Sequence, residues 1–183
     1  MSGRLITFEL DPAALKRAGQ RAVELIVERT LRGEDAGGKA FRPYSTKPFA
    51  LPYNAETFTR RTETNLLKVQ ETLNIFTTRQ GGSLWAVVEG GYKAYKAARW
   101  PKGGETVNLS ATGAMLRSLT VVRHAADADG GEVVVGFVRP EMAERASYHM
   151  GRGRVERRFL GLTDGEGQDV AAIIRDGITL RVS

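Results

Sequence analysis

The sequence predicts an α+β fold: an antiparallel β-sheet or small sandwich with a long N-terminal helix and two C-terminal helices. Three observations carry this prediction. Apolar residues recur at three-four spacing between Leu15 and Arg29. β-Branched segments answer each other across a turn between about residues 119 and 138. Strand-like segments cluster instead of alternating with helices, which argues against a doubly wound fold. The chain has 183 residues, 42% of them apolar and 26% charged, enough for one ordinary domain with a buried core. It reads as a single domain, 1–183, with a long projecting loop at about 33–56 and a basic loop at about 151–158.

Residues 4–10 alternate, with Ile6, Phe8 and Leu10 on one side, as in a strand. Asp11-Pro12 then signals a helix start: Asp caps free N–H groups, and Pro lacks the N–H that would be orphaned. The helix runs to Gly33, about 30 Å, with Leu15, Ala18, Ala22, Leu25, Ile26 and Arg29 as its buried stripe. From Gly33 to Asn54 glycine and proline rule out a regular helix, yet Phe41, Tyr44, Phe49, Leu51 and Tyr53 are large and apolar. Two readings stay open there: a loop that meets a partner, and a loop pinned onto its own core by those rings.

Leu67 to Thr78 reads as a strand with Leu73, Ile75 and Thr77 on one face, turning at 79–82 into SLWAVVEG; a helix across 63–76 competes. Tyr92 to Trp100 is helical or irregular. In VNLSATGAMLRSL, Ser110 or Thr112 would cap a short helix whose buried side is Met115, Leu116 and Leu119. SLTVVRHA, the turn ADADGG and EVVVGFV form the clearest hairpin. Pro140 starts a helix that Gly151 closes. After the basic GRGRVERR, Thr163 or Asp164 caps the last helix, and ITLRV adds a short strand.

The chain holds no cysteine, which excludes disulfides, thiolate metal sites and cysteine nucleophiles. His124, expected at a strand end, and His149, beside a helix terminus, read as structural residues, and no serine sits in a nucleophile elbow. DGEGQD departs from a calcium loop and reads as a helix cap, and GRGRV lacks the flanking strand and helix of a dinucleotide loop. No apolar run is long enough for a membrane span, and the N-terminus does not read as a secretory signal. The net charge of +6 makes nucleic acid or an acidic protein surface a fitting neighbour. Arg152, Arg154, Arg157 and Arg158 form a cationic cluster with three readings: phosphate contacts, pairing with acids of a neighbouring subunit, or a solvated loop.

Five segments in order carry a resemblance: Arg29-Thr-Leu-Arg-Gly33, Gly37 to Ser45 (GGKAFRPYS), Gly90 to Lys96 (GGYKAYK), Val107 to Leu119, and Arg157 to Thr163 (RRFLGLT). In this order they resemble the tailed-phage virion morphogenesis and tail-completion proteins, small neck components of the head–tail junction. The resemblance covers about residues 22–175 and leaves Thr57 to Leu84 unmatched. It implies a virion protein, made in the bacterial host cytoplasm, that performs no catalysis and takes no cofactor or metal. It implies a homo-oligomeric ring, commonly six-fold, between head connector or portal-adaptor proteins and tail tube or tail terminator proteins, with non-specific DNA contact in the lumen and no membrane. On this view Asn108, Leu109, Thr112, Gly113, Met115, Leu116 and Leu119 make a fixed corner orienting the hairpin. Phe159, Leu160 and Leu162 dock the last helix. Phe41, Arg42, Tyr44, Phe49 and Tyr53, with Arg152, Arg154, Arg157 and Arg158, are the arms that reach neighbours, since ring interfaces favour aromatic and Arg anchors. The rival expectation is a small basic nucleic-acid-binding protein that uses the 152–158 arginines.

Overall fold

Asp11 starts the longest helix, α1 (Pro12–Arg32), as the sequence predicts. Its backbone is extended, and its carboxylate accepts the Ala13 N–H at 2.8 Å. Pro12 occupies the first turn, and Gly33 closes the helix in the left-handed region at φ 90°. The whole expected stripe is buried, Arg29 included. The computed structural model describes residues 6–52, 76–80, 83–99, 106–109, 113–127 and 130–182. Most of the competing helix reading at 63–76 (all but Phe76), the part of the strand reading before Phe76, Tyr53, and the cap candidates Ser110 and Thr112 lie outside them.

The fold is α+β, with helices and small antiparallel sheets. The chain divides into two compact units, Met1–Phe41 with Asn108–Ser183, and Arg42–Val107. In the first, β1 (Ile6–Leu10) pairs antiparallel with β7 (Ile178–Val182), the register running from Ile6 opposite Val182 to Leu10 opposite Ile178. The Asp11 N–H donates to the Gly177 carbonyl at 3.0 Å, joining the start of α1 to the end of α5 (Asp164–Asp176).

The predicted hairpin is β5 (Leu119–Asp127) with β6 (Gly130–Phe137), antiparallel, with a bulge between Val121 and Arg123. It is longer than the sequence reading, and His124 lies inside β5 rather than at its end. Helix α1 packs on both strands and on α5. The contact with the hairpin is close because Gly19 has no side chain. A Cβ there would stand 2.5 Å from Val133 Cγ1 and 2.7 Å from Val121 Cγ2.

In the second unit β2 (Phe49–Pro52), β4 (Ser83–Val88) and β3 (Phe76–Gln80) form an antiparallel sheet in the order β2-β4-β3. Helix α2 (Gly91–Arg99) packs on β4. The β3–β4 hairpin follows the strand reading of this region. β2 was missed, because Pro48 and Pro52 bracket it and proline argues against a strand interior; β2 is an edge strand, where proline is tolerated.

Two local expectations are corrected. The N-cap position of the short helix α3 (Ala114–Arg117) is Gly113, at φ 72°, where Ser110 or Thr112 was expected. A glycine takes the left-handed conformation at little cost and turns the chain directly into the helix. The helix opened by Pro140, α4 (Pro140–Ser147), passes at Tyr148 into a wide π-type turn, Tyr148–Arg152, instead of staying α-helical, while Gly151, at φ 129°, breaks the helical backbone as expected. Among the described residues, no helix is long and apolar enough to cross a membrane.

Candidate functional site

The most elaborate polar arrangement in the first unit centres on Arg29, which is 1% exposed. Its guanidinium donates to the Glu166 carboxylate, to the Phe159 carbonyl at 2.9 Å and to the Gly161 carbonyl at 2.7 Å. Glu166 is held from the other side. Its carboxylate accepts the Thr163 N–H at 2.8 Å while the Thr163 hydroxyl accepts the Glu166 N–H at 3.3 Å, a capping box at the start of α5. A buried cation is stable only when its donors are met, and here an acid and two carbonyls meet them. The Nε–H alone has no acceptor among the described residues.

The same knot draws in the glycine-rich segment after α1. The Ala36 N–H donates to the Arg158 carbonyl at 2.7 Å, and the Phe41 N–H to the Gly33 carbonyl at 2.7 Å. Gly161 lies against Ala36, where a Cβ would be 3.1 Å from that of alanine. Phe159 is fully buried. Leu160 and Leu162 line an apolar cleft of about 420 Å³ with Ala18, Ala22, Val133 and Ile174. Every residue lining that cleft is apolar or glycine, so it offers no acid or base. The structure therefore gathers RTLRG, GGKAF and RRFLGLT at one place.

The expected arms differ in what they expose. Phe41 and Tyr44 are buried, Phe49 is half-buried and Arg42 is exposed. Tyr44 meets Tyr92 edge-on at 5.2 Å, and Phe49 meets Tyr95 edge-on at 5.9 Å. Lys96, 2% exposed, donates to the Tyr44 hydroxyl and lies 4.5 Å above its ring. These rings are pinned within the chain itself, the second of the two open readings of this loop.

The 151–158 segment is also braced. The Gly153 N–H donates to the Tyr148 carbonyl at 2.9 Å, and the Arg157 N–H to the His149 carbonyl at 2.8 Å. Arg152, Arg154 and Arg158 are exposed and Arg157 is half-buried. Arg152 lies 5.6 Å from the exposed Tyr148 ring, and Arg158 pairs with Glu156. At the corner before the hairpin, Leu109 stands at φ 51°, a strained conformation for a leucine, and Asn108 and Gly113 are half-buried. Met115, Leu116 and Leu119 are buried, and the Ser118 hydroxyl donates to the Met115 carbonyl at 2.7 Å.

Sequence reasoning placed Arg29 in the buried stripe but did not assign it a role, and it missed Glu166 and Lys96. Thr163-x-x-Glu166 was a legible capping-box signature. Nothing local pointed Glu166 at Arg29 or Lys96 at Tyr44. Among the described residues, no group of three His, Asp or Glu side chains is placed to hold a metal ion. Compared with protein-family models, curated proteins and solved structures, the chain matches none of them.

Proposed function

We propose that this chain is a structural subunit of a tailed-phage or phage-derived particle, a ring-forming neck or tail-completion protein that joins the head connector to the tail. The observation that carries the reading is the convergence of its resembling segments. RTLRG and GGKAF, near neighbours in sequence, meet RRFLGLT, more than a hundred residues further on, around Arg29. Their polar groups are consumed by one another, in a carboxylate, two carbonyls and a helix cap. Such a knot fixes shape, which is what a subunit repeated by rotation needs. The exposed cations Arg152, Arg154 and Arg158 sit on a braced segment and are the arm offered to neighbouring copies or to head and tail proteins.

The test is assembly. Light scattering over a concentration series, with and without the co-expressed head-connector and tail proteins of the same gene neighbourhood, should show a ring-sized oligomer. Electron microscopy should place it at the neck of particles. A chain that stays monomeric with those proteins and is missing from every particle overturns the proposal, as does saturable turnover of a small molecule.

A further inference from the structure

The positive charge of this protein is unevenly distributed between its units. Residues 1–41 and 108–183 hold seventeen Lys and Arg against sixteen Asp and Glu. Residues 42–107 hold ten against five. The arginine-rich 152–158 segment thus belongs to a nearly neutral unit, and almost all of the excess lies in the other. Among the described residues of that other unit, six cations stand against a single acid, Glu89.

Part of that charge is organised into a surface. Residues 45–47 lie across the start of α2: the Lys93 N–H donates to the Ser45 carbonyl at 3.0 Å. A Cβ on Gly91 would come within 2.5 Å of the Ser45 oxygen and 2.7 Å of the Lys47 oxygen, so the two segments touch. Lys47 and Lys93 are exposed on this junction, Arg42 is exposed at its start, and Tyr92 between them is 41% exposed. Tyr44, Phe49 and Tyr95 support the Tyr92 ring from within, at centroid distances of 5.2, 6.1 and 6.0 Å. The first turn of α2 contains no acid. Exposed cations on the same junction as a supported, part-exposed ring match a phosphodiester backbone with a base stacked on the ring. An acidic protein surface could use the same cations, and competition by polyglutamate separates the two.

We infer that the Lys47–Tyr92–Lys93 face binds nucleic acid through its backbone, without reading sequence, and that Tyr92 stacks on unpaired bases. The inference is independent of ring assembly, because it is tested on the free chain. Fluorescence anisotropy of labelled oligo(dT) and of a mixed-sequence duplex, each about 30 units long, would be followed from roughly 25 to 300 mM KCl. Both probes should bind, with log affinity falling linearly in log salt. K47E/K93E should weaken both by about tenfold or more at low salt and reduce the slope by about two, one for each lost phosphate contact. Y92L should weaken oligo(dT) by about fivefold or more and leave the duplex within about twofold. R152E/R154E should leave both within about twofold. Circular dichroism checks folding, and K47Q/K93Q substitutes if the charge reversal fails to fold. No binding at the lowest salt overturns the proposal. So does unchanged binding by folded K47E/K93E or K47Q/K93Q, loss of binding confined to R152E/R154E, equal loss on both probes in Y92L, or displacement by polyglutamate as effective as by DNA.

Discussion

Arg29 and Glu166 are 137 residues apart in sequence, and the guanidinium of one donates to the carboxylate of the other inside the first unit. One residue comes from the last turn of α1 and the other from the first turn of α5, so the pair joins two helices end to start. The carboxylate sits where the N-terminal dipole of α5 favours an anion, and the guanidinium where the C-terminal dipole of α1 favours a cation.

Breaking that pair from either side is expected to be costly. R29A leaves a part-buried acid and two carbonyls without their donor, and E166A leaves a buried cation without its acid. Each should lower unfolding free energy by about 3–5 kcal/mol, read from urea denaturation midpoints. R29A/E166A should cost clearly less than the two combined, because the second change removes the charge that the first left stranded. Additive losses would show that the two groups do not act as a pair.

Thr163 tests the cap separately. T163A removes the hydroxyl that accepts the Glu166 N–H and should cost about 1 kcal/mol, whereas T163S retains the cap and should stay near wild type. Thermal melts of the three proteins decide this. In an E166A background the T163A effect should shrink, since the reciprocal half of the box is already gone.

Gly19 reports on the packing of α1 against the hairpin. Alanine raises helix propensity by about 1 kcal/mol, yet its methyl would stand 2.5 Å from Val133 Cγ1. Overpacking of this kind costs about 1–3 kcal/mol, so G19A should be neutral to destabilising instead of the gain expected at an open helix site. G19A/V133A should be more stable than the sum of its parts, since removing the valine methyls makes the room. A G19A protein that melts well above wild type would show that the contact is loose.

The exposed arginines separate assembly from stability. R152E and R154E should leave the melting temperature unchanged, as surface changes away from caps and cores do. If the proposed ring uses this arm, the same proteins should lose incorporation into particles, seen by comparing their abundance in purified particles. Unchanged incorporation would move the subunit contact elsewhere.

Local rules were legible wherever neighbours in sequence decide the outcome. Asp11-Pro12 set the start of α1, Gly33 its end, and Thr163 the start of α5, because caps and turns involve residues within about four positions. The β5–β6 hairpin was legible for the same reason: its strands are joined by a short turn. The β1–β7 ladder was not, since Ile6 and Val182 sit at opposite ends of the chain and neither segment names its partner. The buried aromatics of the 33–56 segment were undecided for a related reason. A ring looks the same in sequence whether it faces a partner or, as Tyr44 does, the chain's own helix.

By itself the sequence determined the α+β class, the long helix with its buried stripe, the central hairpin and the overall excess of cations. Tertiary structure alone decided that Arg29 would clamp the 159–166 segment, that Lys96 would cover Tyr44, and that residues 45–47 would lie against the start of α2. Periodicity and capping act over a turn or a strand pair. The placing of a buried charge depends on which distant carboxylate and carbonyls the folded backbone brings within hydrogen-bond reach.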